Sequence, residues 1–193
     1  RYEELPDVFR DLKVRTAMTM ACDRPRILST LRLGKGKVIT GPHHLASANY
    51  PTDLEPLPFN LEQARALLAE AGWKDADGNG VLEKEVDGQT KEFKFTAMIP
   101  QNIEWKAVFE IFKEDLSKIG VIMSLDQLHW QQFSERLDAR TFECTALYWD
   151  TSGWDDDLYQ IWHSSQIKEV PSSNFIEFQD AEVDRLIEQA RET

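Results

Sequence analysis

The 193 residues carry a formal net charge of -12, with 41% hydrophobic and 10% aromatic side chains. This is the composition of an ordinary globular protein, long enough for a single domain or for one large lobe of a bigger protein. The acidic balance argues against nucleic acid or anionic lipid as a partner, since both require a basic surface, and no apolar run is long enough to cross a bilayer.

The chain opens at Arg1 with no initiator Met and no signal peptide, as expected of a mature product or an excised piece. Arg1 to Asp11, with Pro6, reads as a lead-in loop. Val14, Ala17, Met18 and Ala21 recur at helical spacing, which predicts an amphipathic helix over residues 12–22. Asp23 caps a second short helix, with Pro25 in its first turn, an apolar stripe of Ile27, Leu28 and Leu31, and Gly34 and Gly36 at its end. Residues 40–60 have no periodicity and contain Pro42, Pro51, Pro56 and Pro58, so they form a long ordered loop. Asn60 and Gln63 make a capping-box-like pair before a helix with the stripe Leu61, Ala64, Leu67, Leu68 and Ala71, and Gly72 stops it.

Asp87-Gly88 marks a hairpin turn, and a strand follows from Phe93 to Ile99, closed by Pro100. Trp105, Val108, Phe109, Phe112, Leu116 and Ile119 share one face of a helix that ends at Gly120, and a strand runs from Val121 to Leu128. Strand, helix and strand over about 36 residues make a βαβ unit with parallel strands. A helix over 130–139 precedes a strand starting at Phe142; Asn174 to Phe178 reads as a short strand; Asp180 caps a last helix with Val183, Leu186, Ile187 and Ala190 inward. The predicted class is α/β, with flanking helices around the βαβ unit.

From Phe142 onward, Phe142, Cys144, Ala146 and Tyr148 alternate with Glu143, Thr145, Leu147 and Trp149. The strand then breaks into a loop holding Trp149, Asp150, Ser152, Trp154 and Asp155 to Asp157, before Tyr159 and Trp162 on a helical turn. A strand that ends in an aromatic and acidic loop is where α/β proteins place ligands.

Several stretches together resemble one family: Asp11 to Met18 with Ala21 to Arg24; Thr40 to Pro42; Pro58 to Trp73; Asp75 to Gly80; Gln160 to Gln166; and Asn174 with Val183 to Ile187. In this order they are similar to the family 5 extracellular solute-binding proteins of ABC importers, which include peptide- and nickel-type receptors. The resemblance implies that residues 1–193 are one α/β lobe with a mixed sheet, the second of a two-lobed fold, with the first lobe absent. It further implies a monomer without catalysis, periplasmic or at the cell surface, that traps a peptide or other small polar solute by lobe closure and hands it to membrane permease subunits. In peptide-binding relatives a tryptophan ends the strand and an aspartate three residues later holds the ligand's amino group. Trp149 matches the tryptophan, whereas Ser152 stands where the aspartate would be; Asp150 and Asp155 are acidic neighbours of that position. Trp130 matches a tryptophan that lines the cleft. Leu137 and Ala146 stand near places where some members carry carboxylate-gripping arginines, and Arg136 and Arg140 lie close by. Trp154 and Asp155 to Asp157 fit equally well as a core aromatic and helix caps. A saccharide or an opine also suits tryptophan walls.

Asp75, Asp77, Asn79, Val81 and Glu83 follow the first nine positions of a calcium loop, with Gly80 at the sixth, but Val86 replaces the bidentate Glu at the twelfth. Structural calcium and a metal-free Asx turn are the two readings; no other cofactor is expected. His43 and His44 lack a third ligand at characteristic spacing. A metal-assisted hydrolase using them with the acidic loop is the rival from another class, and a signalling receptor of the same fold is a third. Cys22 and Cys144 sit on apolar faces, as buried free thiols do, and sequence alone does not decide a disulfide between them.

Overall fold

The structure is a computed structural model that describes residues 7–41, 43–86, 88–148, 157–169 and 171–192. After a single 3-10 turn at Asp7–Phe9 come α1 (Leu12–Ala21), α2 (Arg24–Leu31), α3 (Leu61–Glu70), β1 (Glu83–Val86), β2 (Gln89–Glu92), β3 (Lys94–Pro100), α4 (Ile103–Ser117), β4 (Ile122–Leu128), α5 (Trp130–Asp138), β5 (Cys144–Thr145), α6 (Tyr159–Trp162) and α7 (Ala181–Arg191). Five of these helices begin on an Asp or Asn side chain that accepts a first-turn N–H. Asp11 takes Lys13 N, Asp23 takes Arg26 N, Asn60 takes Gln63 N, Asn102 takes Glu104 N and Trp105 N, and Asp180 takes Glu182 N and Val183 N. Each cap satisfies a backbone donor that has no partner inside its own helix.

The strands β4, β3 and β5 form a parallel sheet in that order, with Phe95 opposite Met123, Ala97 opposite Leu125, and Ala97 also opposite Cys144. β1 and β2 form a separate antiparallel hairpin. Parallel and antiparallel pairing are therefore both present among the described residues, in two sheets. Val86 pairs with Gln89, which leaves room for a two-residue turn; Gly88 adopts φ 73°, and its partner Asp87 lies outside the described residues.

The central strand is buried on both faces, as a parallel sheet demands. Phe93, Phe95, Ala97 and Ile99 face a core shared with α1, α3 and α4, whose contributions include Val14, Ala17, Leu68 and Leu116. Met98 points the other way, onto Phe133 and Leu137 of α5. Trp73 packs on Phe93 with ring centroids 4.6 Å apart, and Phe9 meets Phe95 edge-on at 5.1 Å. Outside the core, Arg26 of α2 reaches Glu114 of α4 at 2.8 Å, and Lys118 holds the buried Asp115 at 2.8 Å.

Two predicted strands come out differently. Among the described residues only Cys144 and Thr145 of the stretch from Phe142 are strand, because β5 is paired there on one side alone and only opposite Ala97 and Met98. Residues 174–178 form a turn instead of a strand. The fully buried Asn174 accepts Phe178 N at 2.8 Å and donates to Phe178 O at 2.9 Å, so a side chain takes the bonds that a ladder would have made.

Gly120 joins α4 to β4 at φ 80°, and a Cβ there would lie 3.0 Å from Leu82 Cγ and 3.2 Å from Gly80 O. Gly120→Ala is expected to destabilise the fold by about 1–2 kcal/mol through left-handed backbone strain and that crowding. Phe93→Ala is expected to cost about 3–5 kcal/mol by leaving a cavity. Urea unfolding monitored by tryptophan fluorescence measures both, and the order of the two is part of the expectation.

Candidate ligand-binding face

Because β3, β4 and β5 are parallel, their C-terminal ends share one edge of the sheet. Past those ends come Gln101 and Asn102, His129 and Trp130, and Ala146 to Tyr148. In open α/β sheets this is the edge that carries ligands.

Trp130 is the first residue of α5 and is 67% exposed, yet its ring is stacked on that of Phe133 at 5.6 Å and 25°. Phe133 is itself fully buried, so one face of an exposed indole is held by the core while the other is available. His129 precedes α5 without a side-chain hydrogen bond into its first turn, which leaves those N–H groups without the acceptor that α4 has in Asn102. Tyr148, read from sequence as a strand residue, lies past the end of β5 and is 79% exposed. Thr145 donates its hydroxyl to Met98 O at 2.7 Å and fixes the end of β5 against β3.

Of the residues singled out for the cleft, Trp149, Asp150, Ser152, Trp154 and Asp155 lie outside the described residues. From Asp157 onward the chain is held by polar contacts of its own. Asp157 accepts Tyr159 N at 3.0 Å at the start of α6, and pairs with Arg191 at 3.3 Å. His163 is buried, hydrogen-bonded to Ser165 at 2.8 Å and stacked under Tyr159 at 4.2 Å. Asn174 also donates to His163 O at 3.3 Å, so the segment after the loop is tied down by a polar core that no sequence period announces.

Arg136 and Arg140 are both engaged in structure. Arg136 binds Asp126 at 2.5 Å and Thr141 O, and Arg140 binds Ile167 O at 2.9 Å with Glu177 at 3.5 Å. In the Asp75 loop the oxygens turn inward: Asp75 accepts Gly80 N, Asp77 accepts Asn79 N and its side-chain amide, and Asn79 accepts Val81 N. Glu83 joins Lys74 through backbone bonds at the head of β1. The loop is thus closed by Asx turns made from its own residues. His44 accepts Ala46 N within a local turn. Among the described residues no group of three or more His, Cys, Asp or Glu side chains is placed to hold a metal ion.

The strand ends of the parallel sheet thus present a core-anchored indole and an exposed phenol at the edge where open α/β folds carry ligands. Residues 4–169 match the family model of the bacterial extracellular solute-binding proteins, family 5 Middle, and the chain belongs to that family. Among its relatives is the oligopeptide-binding protein AppA of Bacillus subtilis (strain 168), 35% identical over 195 residues that cover 98% of this chain and 35% of AppA. The structure of AppA from Bacillus subtilis in complex with a nonapeptide superimposes with a TM-score of 0.86, covering 97% of this chain and 37% of that one at 35% identity. NikZ from Campylobacter jejuni in complex with Ni(L-His) superimposes with a TM-score of 0.81 at 25% identity, covering 97% and 37%. The chain therefore spans about a third of the length of the curated relatives it matches.

Burial pushes the thiols of Cys22 and Cys144 up to about 11, and both are free. The neutral thiol is favoured in the folded state, while the unfolded chain loses these protons from near pH 9. Between pH 9 and 11 the unfolded state binds fewer protons, so stability falls as pH rises. The urea midpoint is expected to drop across that window relative to a Cys22→Ala, Cys144→Ala variant, and native labelling by a disulfide reagent at pH 8 is expected to be slow until the chain unfolds.

Proposed function

We propose that this chain is the second lobe of a two-lobed solute receptor serving an ABC importer. The receptor captures a peptide or similar small polar solute as its lobes close and delivers it to the membrane permease. It works as a monomer outside the cytoplasmic membrane, in the periplasm or at the cell surface, and performs no catalysis. The observation that carries this reading is the exposed indole of Trp130, anchored on Phe133 at the strand ends of a family 5 lobe. Peptide is favoured as the solute class because AppA, an oligopeptide-binding protein, is 35% identical over 98% of the chain. NikZ, crystallised with Ni(L-His), marks how widely ligand chemistry varies on this fold.

In this reading Trp149 and Trp130 supply apolar walls, Trp154 is a further aromatic candidate, and Asp150, Ser152 and Asp155 supply polar contacts. An aspartate facing a peptide's ammonium group inside a closed, desolvated cleft makes a charge-assisted hydrogen bond, stronger there than in water. Ser152 offers only a neutral hydroxyl at the matching place, so recognition of the amino end falls to Asp150 or Asp155, or is relaxed.

Titration calorimetry on the protein at its natural length is the test, with the cargo first identified by mass spectrometry of ligand that co-purifies. Trp130→Ala and Trp149→Ala are each expected to weaken binding about tenfold or more, equivalent to roughly 1.4 kcal/mol. Affinities within twofold of the unsubstituted protein would remove both residues from the cleft. Ser152→Asp is expected to raise the preference for peptides with a free amino end over their N-acetylated forms. Bound peptide is expected to be recovered uncleaved.

A further inference from the structure

Three side chains on one face of α7 hold the stretch that follows the acidic loop. Asp184, Glu188 and Arg191 stand at i, i+4 and i+7, a spacing that puts them on one stripe of the helix. Arg191 pairs with Asp157 at 3.3 Å and sets its guanidinium 4.4 Å from the centre of the Tyr159 ring. Glu188 lies 3.3 Å from His163 Nε2. Asp184 accepts Ser164 N at 2.8 Å and also the Ser164 hydroxyl. The contacts run in opposite order along the two segments, so the last turn of α7 meets the start of α6.

α6 is four residues long, too short to hold its own turn in water. Ile161 N and Trp162 N donate to Leu158 O at 3.2 and 3.0 Å, and His163 N donates to Tyr159 O at 3.0 Å. Tyr159 stacks on His163 at 4.2 Å, and the Ser165 hydroxyl lies 3.0 Å from the Tyr159 hydroxyl and 2.8 Å from His163 Nδ1. Arg191, Tyr159 and His163 are thus layered as cation on ring on ring. Away from that stack, Ile161 and Trp162 line an apolar groove of about 450 Å³ beside β5. Asp157 is the first described residue after the loop, and it works in two directions: one oxygen accepts Tyr159 N at 3.0 Å while the other meets Arg191. A further ion pair of α7, Glu182 with Arg185 at 2.6 Å, closes within the helix itself.

We propose that Glu188 and Arg191 are positioning residues for solute capture: the polar face of α7 fixes the C-terminal foot of the acidic loop before a solute arrives. This rests on the cleft assignment, in which that loop supplies one wall. The two residues act through Asp157, Tyr159 and His163, which carry the chain out of the loop. A foot already held in place lowers the ordering cost of binding and raises the fraction of molecules ready to bind, and observed affinity scales with that fraction.

The test uses the protein at its natural length and two double variants that each remove one acid and one base. Glu188→Gln with Arg191→Gln strips the charges that face α6. Glu182→Gln with Arg185→Gln strips the ion pair internal to α7 and serves as the matched control. With a nonapeptide bearing a free amino end as the probe, titration calorimetry is expected to show about a fivefold loss of affinity in the first variant and none in the control. In the peptide-free protein, the amides of Ile161, Trp162 and His163 are expected to exchange about fivefold faster in the first variant alone, with the β3 and β4 amides and the urea midpoint unchanged. Arg191→Lys keeps the charge beside Asp157 and Tyr159 and is expected to restore most of both losses when combined with the native Glu188. Unchanged affinity in the first variant, equal losses in the first variant and the control, or a lowered urea midpoint with faster exchange throughout would each overturn the proposal. If Trp149→Ala weakens nonapeptide binding and the first variant does not, the cleft stands and the positioning role falls. If the nonapeptide does not bind the unsubstituted protein, the peptide reading falls, and faster exchange confined to residues 161–163 alone decides the positioning role.

Discussion

Everything in this fold depends on β3 being paired in parallel on both sides. A strand in that position has no face for water, so its residues must be apolar on both: Phe95, Ala97 and Ile99 toward the three-helix side, Met98 toward α5. Parallel neighbours in turn require crossovers, and α4 is one such crossover, long enough to return the chain to the start of β4. The same direction of travel brings the ends of β3, β4 and β5 to a single edge. Core packing and the placement of Trp130 and Tyr148 are therefore two results of one topological fact.

The polar interior after the loop plays a complementary part. Asn174, His163 and Ser172 are buried, and Asn174 bonds His163 and Phe178 through its one amide. A buried amide with its bonds made fixes one arrangement where apolar packing would tolerate several. It holds α6 and Trp162 against the sheet side of the groove, while Ser164 of the same segment binds Asp184 of α7. The acidic loop is thus bracketed by two fixed points, the end of β5 and the start of α6. The same segment supplies one wall of the apolar groove beside β5.

Much of this was legible in the residues. Every helix start predicted on Asp23, Asn60 or Asp180 is present, because a capping side chain acts within three residues of itself and needs nothing from the rest of the fold. The βαβ unit was visible for a similar reason, its helix and strands differing in apolar period. The strand from Phe142 was overextended, since alternation states which way side chains would point in a strand and says nothing about whether a neighbour exists to pair with it. Residues 174–178 were misassigned as strand because the bonds that decide them are made by the Asn174 side-chain amide to Phe178 and His163. In the candidate site, Trp130 was singled out through family resemblance, and the exposure of Tyr148 followed only once β5 was seen to stop at Thr145.

The sequence by itself determined the α/β class, the caps, the family and the acidic, aromatic character of the loop after Tyr148. These are set by local periodicity, by short-range hydrogen bonds and by residue type, all of which are read along the chain. Only the tertiary structure decided that Trp130 rests on a buried Phe133 with its other face exposed, that Arg136 and Arg140 are committed to Asp126, Thr141, Ile167 and Glu177, and that β5 pairs on one side alone among the described residues, beside an apolar groove. Each of these is a relation between segments distant in sequence, and the energy that selects it, burial of apolar area and pairing of desolvated charge, exists only after those segments have met.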